Sequence, residues 1–174
     1  MSRKRQLLIA ATVLLAFILQ LAVIPQFRLM GVTPDLILVI AVVVAVQDGP
    51  IEGALVGFFG GLLQDIASPQ VMGVGAFSKA LAAFLAGILK DFFMTYSILL
   101  PVLLVFFMSL LEQSLHQASL AVLGQEQLPP FRMWSVLASS LYNVLAVFVF
   151  YPVLRRLRFL DKEESMLLTK PGAR

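Results

Sequence analysis

Between Gly53 and Asp65 the chain reads GALVGFFGGLLQD, an apolar helical stretch striped with glycine and closed by a carboxylate. Glycine in a helix costs about 1 kcal/mol relative to alanine, so four glycines within nine residues need a physical reason. At about 100° per residue, Gly53, Gly57, Gly60 and Gly61 fall inside a sector of roughly 100°. One face of the helix is thereby stripped of side chains, and another helix can approach it backbone to backbone. That second helix belongs either to the same chain or to a partner or ligand docked on the stripe. Both alternatives require a membrane.

The membrane reading follows from composition. Hydrophobic residues make up 60% of the 174 residues and charged residues 13%, with a mean hydropathy of +0.94. An ordinary soluble domain is about 45–50% apolar and about 25% charged, and a chain of this size has no interior large enough to hide the difference. There are no cysteines, which excludes disulfides and thiolate metal sites. The net charge of +3 is carried mainly by the two ends rather than by a basic face, so nucleic acid is not an expected partner.

Six apolar segments emerge, at about 7–24, 34–47, 51–66, 72–89, 97–122 and 133–154. The first follows a basic start, Arg3-Lys4-Arg5, but is longer than a signal-peptide core and lacks a small-x-small cleavage site. It reads as a retained transmembrane helix. The second and third are shorter than the roughly 20 residues a bilayer core demands, so neighbouring helices must shield their ends or the bilayer must thin. Asp48-Gly49-Pro50 turns one into the other. The expectation is an all-α integral membrane protein with a six-helix transmembrane domain over 1–160 and a polar cytoplasmic tail over 161–174.

Basic residues orient it. With both termini cytoplasmic, ten lysines and arginines lie inside and only Arg28 and Arg132 outside, with Lys79 inside a helix. The outer loops then fall near 25–33, 67–71 and 123–132. Trp134 and Tyr151 mark the two ends of the sixth segment, as an aromatic belt does.

Three polar constellations interrupt the apolar background. Thr33-Pro34-Asp35 is a helix start: threonine can cap, proline suits the first turn, and an aspartate there meets the positive end of the dipole. Asp65 and Lys79 lie at matching depths, about 20 Å up one helix and about 10 Å down the next from the outer surface. An unpaired charge at such depth costs about 2.5–3.5 kcal/mol or more, so a structural Asp65–Lys79 pair is expected. The alternatives are Asp65 capping a loop at its helix end, or Lys79 snorkelling outward. The fifth segment carries Ser109, Glu112, Gln113, His116 and Gln117. Glu112 and His116 share a face at i, i+4, too few ligands for a metal in a chain with a single histidine. A proton relay is one reading; a polar face near the outer interface, packed inward or meeting a partner, is the other.

No H-E-x-x-H, G-x-S-x-G or P-loop is present, and no dense acidic cluster that would hold magnesium. A non-enzymatic protein without cofactor or metal is expected.

The run Thr33-Pro34-Asp35-Leu36-Ile37-Leu38, the motif Gly53-Ala54-x-x-Gly57-Phe58-x-x-Gly61-Leu62-x-x-Asp65 and the run Met72-Gly73-Val74-Gly75-Ala76 together resemble the MreD family. The motifs lie between residues 33 and 87, and the other helices match in hydropathy only. The resemblance implies a scaffold of bacterial cell-wall elongation in the plasma (inner) membrane, supporting peptidoglycan synthesis and rod shape. Its implied partners are MreC directly and, through MreC, the filament MreB, RodA and a class B penicillin-binding protein, with membrane lipid around it. The implied layout is similar to the six-helix substrate-binding subunits of energy-coupling-factor vitamin transporters.

That likeness supplies an alternative function, a transporter substrate subunit. Such subunits tend to show an Ala-x-x-x-Ala face toward the coupling module. Helix one lacks that spacing, whereas Ala76 and Ala80 have it.

Overall fold

A chain surrounded by lipid must satisfy its backbone hydrogen bonds internally, and this one does so as helices. The computed structural model describes residues 3–22, 26, 32–68, 71–93, 98–124 and 133–169, with side chains through Phe159. Among them are six α-helices: α1 (Arg3–Ala22), α2 (Leu36–Asp48), α3 (Pro50–Ala67), α4 (Val74–Leu89), α5 (Leu99–Val122) and α6 (Met133–Thr169). A 3-10 turn at Lys90–Phe92 follows α4. The expected outer loops, with Arg28 and Arg132, lie largely outside the described residues.

Helix α2 is apolar on every side, and a helix of that kind belongs in an interior. Every residue from Leu36 to Ala45 is buried, and α1, α3, α4, α5 and α6 all contact it. Neighbours therefore shield this short helix on all sides. The α2–α3 turn is set by Gly49, whose φ of +136° suits glycine alone, and by Pro50 in the first turn of α3.

Helices α1, α5 and α6 as far as Phe159 are long and apolar enough to cross a membrane, with mean hydropathies of 1.9, 1.6 and 1.8. Helix α1 lies at the rim and buries one stripe, Arg5, Ile9, Val13 and Ala16, at the i, i+4 spacing of a single helical face. The sixth helix does not stop at 154. It runs on to Thr169, through most of the segment expected as a polar tail.

Candidate functional site

The glycine stripe is occupied within the chain, and it serves two neighbours. A Cβ on Gly57 would stand 2.7 Å from the Lys79 carbonyl oxygen, and one on Gly61 2.7 Å from the Ala76 Cα. Both are backbone atoms of α4, so α3 and α4 touch main chain to main chain. Gly53 faces the α2 backbone at Ala41 and Ala45, and Gly60 faces Ile37 of α2 and Val13 of α1. The stripe thus wedges α3 between α2 and α4. Phe58 and Phe59, off the stripe, are exposed.

Asp65 does not pair with Lys79. Its Oδ2 accepts from the backbone N–H groups of Gly73 (2.8 Å) and Ala76 (3.1 Å). The carboxylate at the end of α3 thereby caps the start of α4, where unsatisfied amides and the helix dipole favour an anion. Gly75 makes room for it, since a Cβ there would overlap Asp65 Oδ1. The α4 amides lie closer to Asp65 than the lysine does in chain order, and they satisfy it.

Lys79 turns the other way, between two carboxylates. Its Nζ lies 3.0 Å from Asp35 Oδ2 and 3.0 Å from Glu112 Oε1. Asp35 is the N-cap of α2: its Oδ1 accepts from Leu38 N–H at 3.1 Å and from Gln64 Nε2 at 3.3 Å. The helix therefore begins two residues later than the Thr33-Pro34-Asp35 pattern suggests, and aspartate rather than threonine caps it. The Asp35 N–H donates to Asn143 Oδ1 (2.6 Å), and Asn143 Nδ2 donates to Ser109 Oγ (2.9 Å). The Ser78 hydroxyl lies 3.3 Å from Glu112 Oε1 and 2.9 Å from the Val74 carbonyl.

One polar network thus takes side chains from each of α3 to α6 and from the cap of α2. Glu112 and Lys79 are buried within it, as are Ser78, Ser109 and Asn143. Buried charges are tolerated when paired and hydrogen-bonded, and here the lysine and Glu112 solve each other's burial. His116, one turn beyond Glu112, is half-buried, as are Gln113 and Gln117. Among the described residues no group of three His, Asp or Glu side chains is arranged to hold a metal ion.

A second polar contact lies at the opposite end of α2. Arg5 binds Asp48 in a fork, Nη2 to Oδ2 at 2.6 Å and Nε to Oδ1 and Oδ2 at 3.0 and 3.1 Å. Arg5 Nη2 also donates to Gln47 Oε1 at 3.2 Å, and Arg158 Nε lies 3.9 Å from Asp48 Oδ1. Arg5 is 2% exposed. Reading it only as part of a basic end missed this anchor; the signal for it was Asp48, an acid in a turn otherwise explained by glycine and proline. Asn143, Gln64 and Ser78, unremarked in apolar helices, were missed as well.

The family model for the rod shape-determining protein MreD matches residues 1–158. The chain belongs to the MreD family. The match takes in all of the geometry above, including the helices whose resemblance was in hydropathy alone. Membership implies a role in rod shape determination, in a family of shape-determining structural membrane proteins. Comparison of this MreD-family chain with curated proteins and with solved structures finds no match.

Proposed function

We propose that the protein is a non-enzymatic scaffold of the bacterial cell-wall elongation machinery in the plasma membrane. In this reading all six helices span the bilayer and both termini are cytoplasmic. It holds the single-span protein MreC and through it links MreB to RodA and a class B penicillin-binding protein. The observation that carries the reading is the family match over 1–158.

The packing adds a physical argument. The small-residue faces of α3 and α4 and the ionic network are engaged within the chain, so a partner must meet other surfaces. In lipid, helices associate through close packing and a few polar contacts rather than through hydrophobicity. The half-buried Gln113, His116 and Gln117 of α5 offer such contacts near the outer end. Glu112 does not, since it is buried against Lys79. The Ala-x-x-x-Ala spacing does not support the transporter alternative, because Ala76 and Ala80 face Gly61 and Gly57 of α3.

The test is depletion in a rod-shaped host together with affinity purification of the tagged protein. Rounded cells and co-purification of MreC are expected. Normal rods after depletion, with tight binding of a vitamin by the purified protein, would overturn the reading in favour of the transporter subunit.

A further inference from the structure

Asp48 is the one anion that the described side chains place between Arg5 and Arg158, and Arg5 already covers both of its oxygens at 2.6–3.1 Å. Arg158 is left at 3.9 Å, through Nε alone, with 41% of its side chain exposed. A guanidinium carries five donors in a planar fork suited to phosphate. At 3.9 Å Arg158 makes no hydrogen bond to Asp48, and part of its guanidinium side chain is open to the surroundings.

The same end of the bundle concentrates positive charge. Arg155 lies one turn before Arg158 on α6, exposed, with its guanidinium 5.6 Å from the Phe159 ring centroid. Arg156 is exposed as well, and so is Arg3, two residues before Arg5 on the helix that Asp48 ties to this point. Among the described side chains here, Arg3, Lys4, Arg5, Lys90, Arg155, Arg156 and Arg158 oppose Asp48, Glu52 and Asp91, and the sequence that follows, Asp161-Lys162-Glu163-Glu164, reduces that excess without removing it. Depth agrees with charge. Counting from Met133 at 1.5 Å per residue, the about 30 Å of hydrocarbon end near Val153, and Arg155–Arg158 fall about 33–38 Å along, in the headgroup layer.

We propose that the seam between the start of α1 and the end of the spanning part of α6 seats the phosphodiester headgroup of an anionic phospholipid, held by Arg158 and Arg155. Exposed apolar side chains of both helices, Leu7, Leu8 and Val153 among them, flank the acyl chains. The seat requires α6 to cross the bilayer and is independent of whether MreC binds.

The full-length protein, purified in neutral detergent, is mixed with phosphatidylglycerol or phosphatidylcholine of identical chains, and retained lipid is read by native mass spectrometry. Preferential retention of phosphatidylglycerol is expected. Each arginine near the anionic surface is worth about fivefold, so Arg155→Gln should cut the preference by about that factor and Arg155→Gln/Arg158→Gln by more. Lys90→Gln, which removes one charge at the end of α4, should leave it intact. Because Arg158 touches Asp48, the single Arg155→Gln variant decides the matter if the double variant is lost in purification. Equal retention of the two lipids, an equal loss with Lys90→Gln, or full competition by free glycerol 3-phosphate overturns the proposal.

Discussion

Replacing Lys79 with methionine leaves two carboxylates facing each other without the cation between them, and the structure says which one suffers. Asp35 keeps the Leu38 N–H at 3.1 Å and the Gln64 amide at 3.3 Å, and 20% of its side chain is exposed. Glu112 has 5% of its side chain exposed. Its remaining hydrogen-bond contact among the described residues is the Ser78 hydroxyl at 3.3 Å, whose proton also reaches the Val74 carbonyl at 2.9 Å. The stranded charge is therefore Glu112. Removing one member of a buried pair costs about 3–5 kcal/mol, and Lys79→Met should lose that much. Glu112→Gln alone should cost less, because Lys79 retains Asp35. Added to Lys79→Met, Glu112→Gln should restore about 2 kcal/mol, whereas Asp35→Asn should restore less than about 1 kcal/mol. Unfolding by sodium dodecyl sulfate in mild detergent, followed through the single tryptophan, Trp134, measures all four variants. Equal rescue by the two acid substitutions, or strict additivity of Lys79→Met and Glu112→Gln, refutes the reasoning.

Gly57→Leu and Gly61→Leu should each destabilise by about 1–3 kcal/mol or more through overpacking, because backbone of α4 occupies the space, while the exposed Phe58→Leu should be mild; similar unfolding midpoints for all three would show that the contact is not close. Arg5→Ala should cost about 3–5 kcal/mol and speed proteolysis of α1, and the charge-reversed pair Arg5→Asp/Asp48→Arg should recover part of it; no recovery would mean that the pair is not an anchor. Single cysteines at Gln26, Gln70 and Gln127 should react with an impermeant thiol reagent on intact cells, and cysteines at Lys90 and Ser165 should not; the opposite pattern would invert or break the six-span topology.

The legible parts of this fold were those written locally. Asp48-Gly49-Pro50 ends one helix and begins the next because a positive φ and a fixed φ follow in order, and the stripe from Gly53 to Gly61 announces a close approach by what it lacks. Long-range choices were less legible. Asp65 and Lys79 are equally costly when unpaired, and depth alone made them partners. The chain offered two better solutions, the free amides at the start of α4 for Asp65 and Glu112 for Lys79. Choosing them requires knowing that α5 lies beside α4 with Glu112 inward, and hydropathy does not encode which side of an apolar helix meets which neighbour. Asp35 was equally easy to underread. A place in the first turn, facing the positive end of the helix dipole, explains it at the local level, so nothing in the sequence demanded its second role beside Lys79.

Helix α2 shows why polar contacts are placed at depth in so apolar a chain. Its residues from Leu36 to Ala45 are all buried against other helices, and apart from the glycine fits at Ile37, Ala41 and Ala45 its apolar sides offer no directional contact to fix rotation and height. Both ends are fixed by charge. At the start, Asp35 holds Lys79 of α4 and, through its backbone N–H, Asn143 of α6. At the far end, Asp48 sits at the negative pole of the α2 dipole, an unfavourable place for an anion, and Arg5 of α1 offsets that with a forked contact from a buried side chain. Moving α2 by one residue about its axis would break both contacts and strand charges at each end. A helix without a polar face thus takes its register from its two terminal aspartates, together with the α3 glycines that fit against Ile37, Ala41 and Ala45.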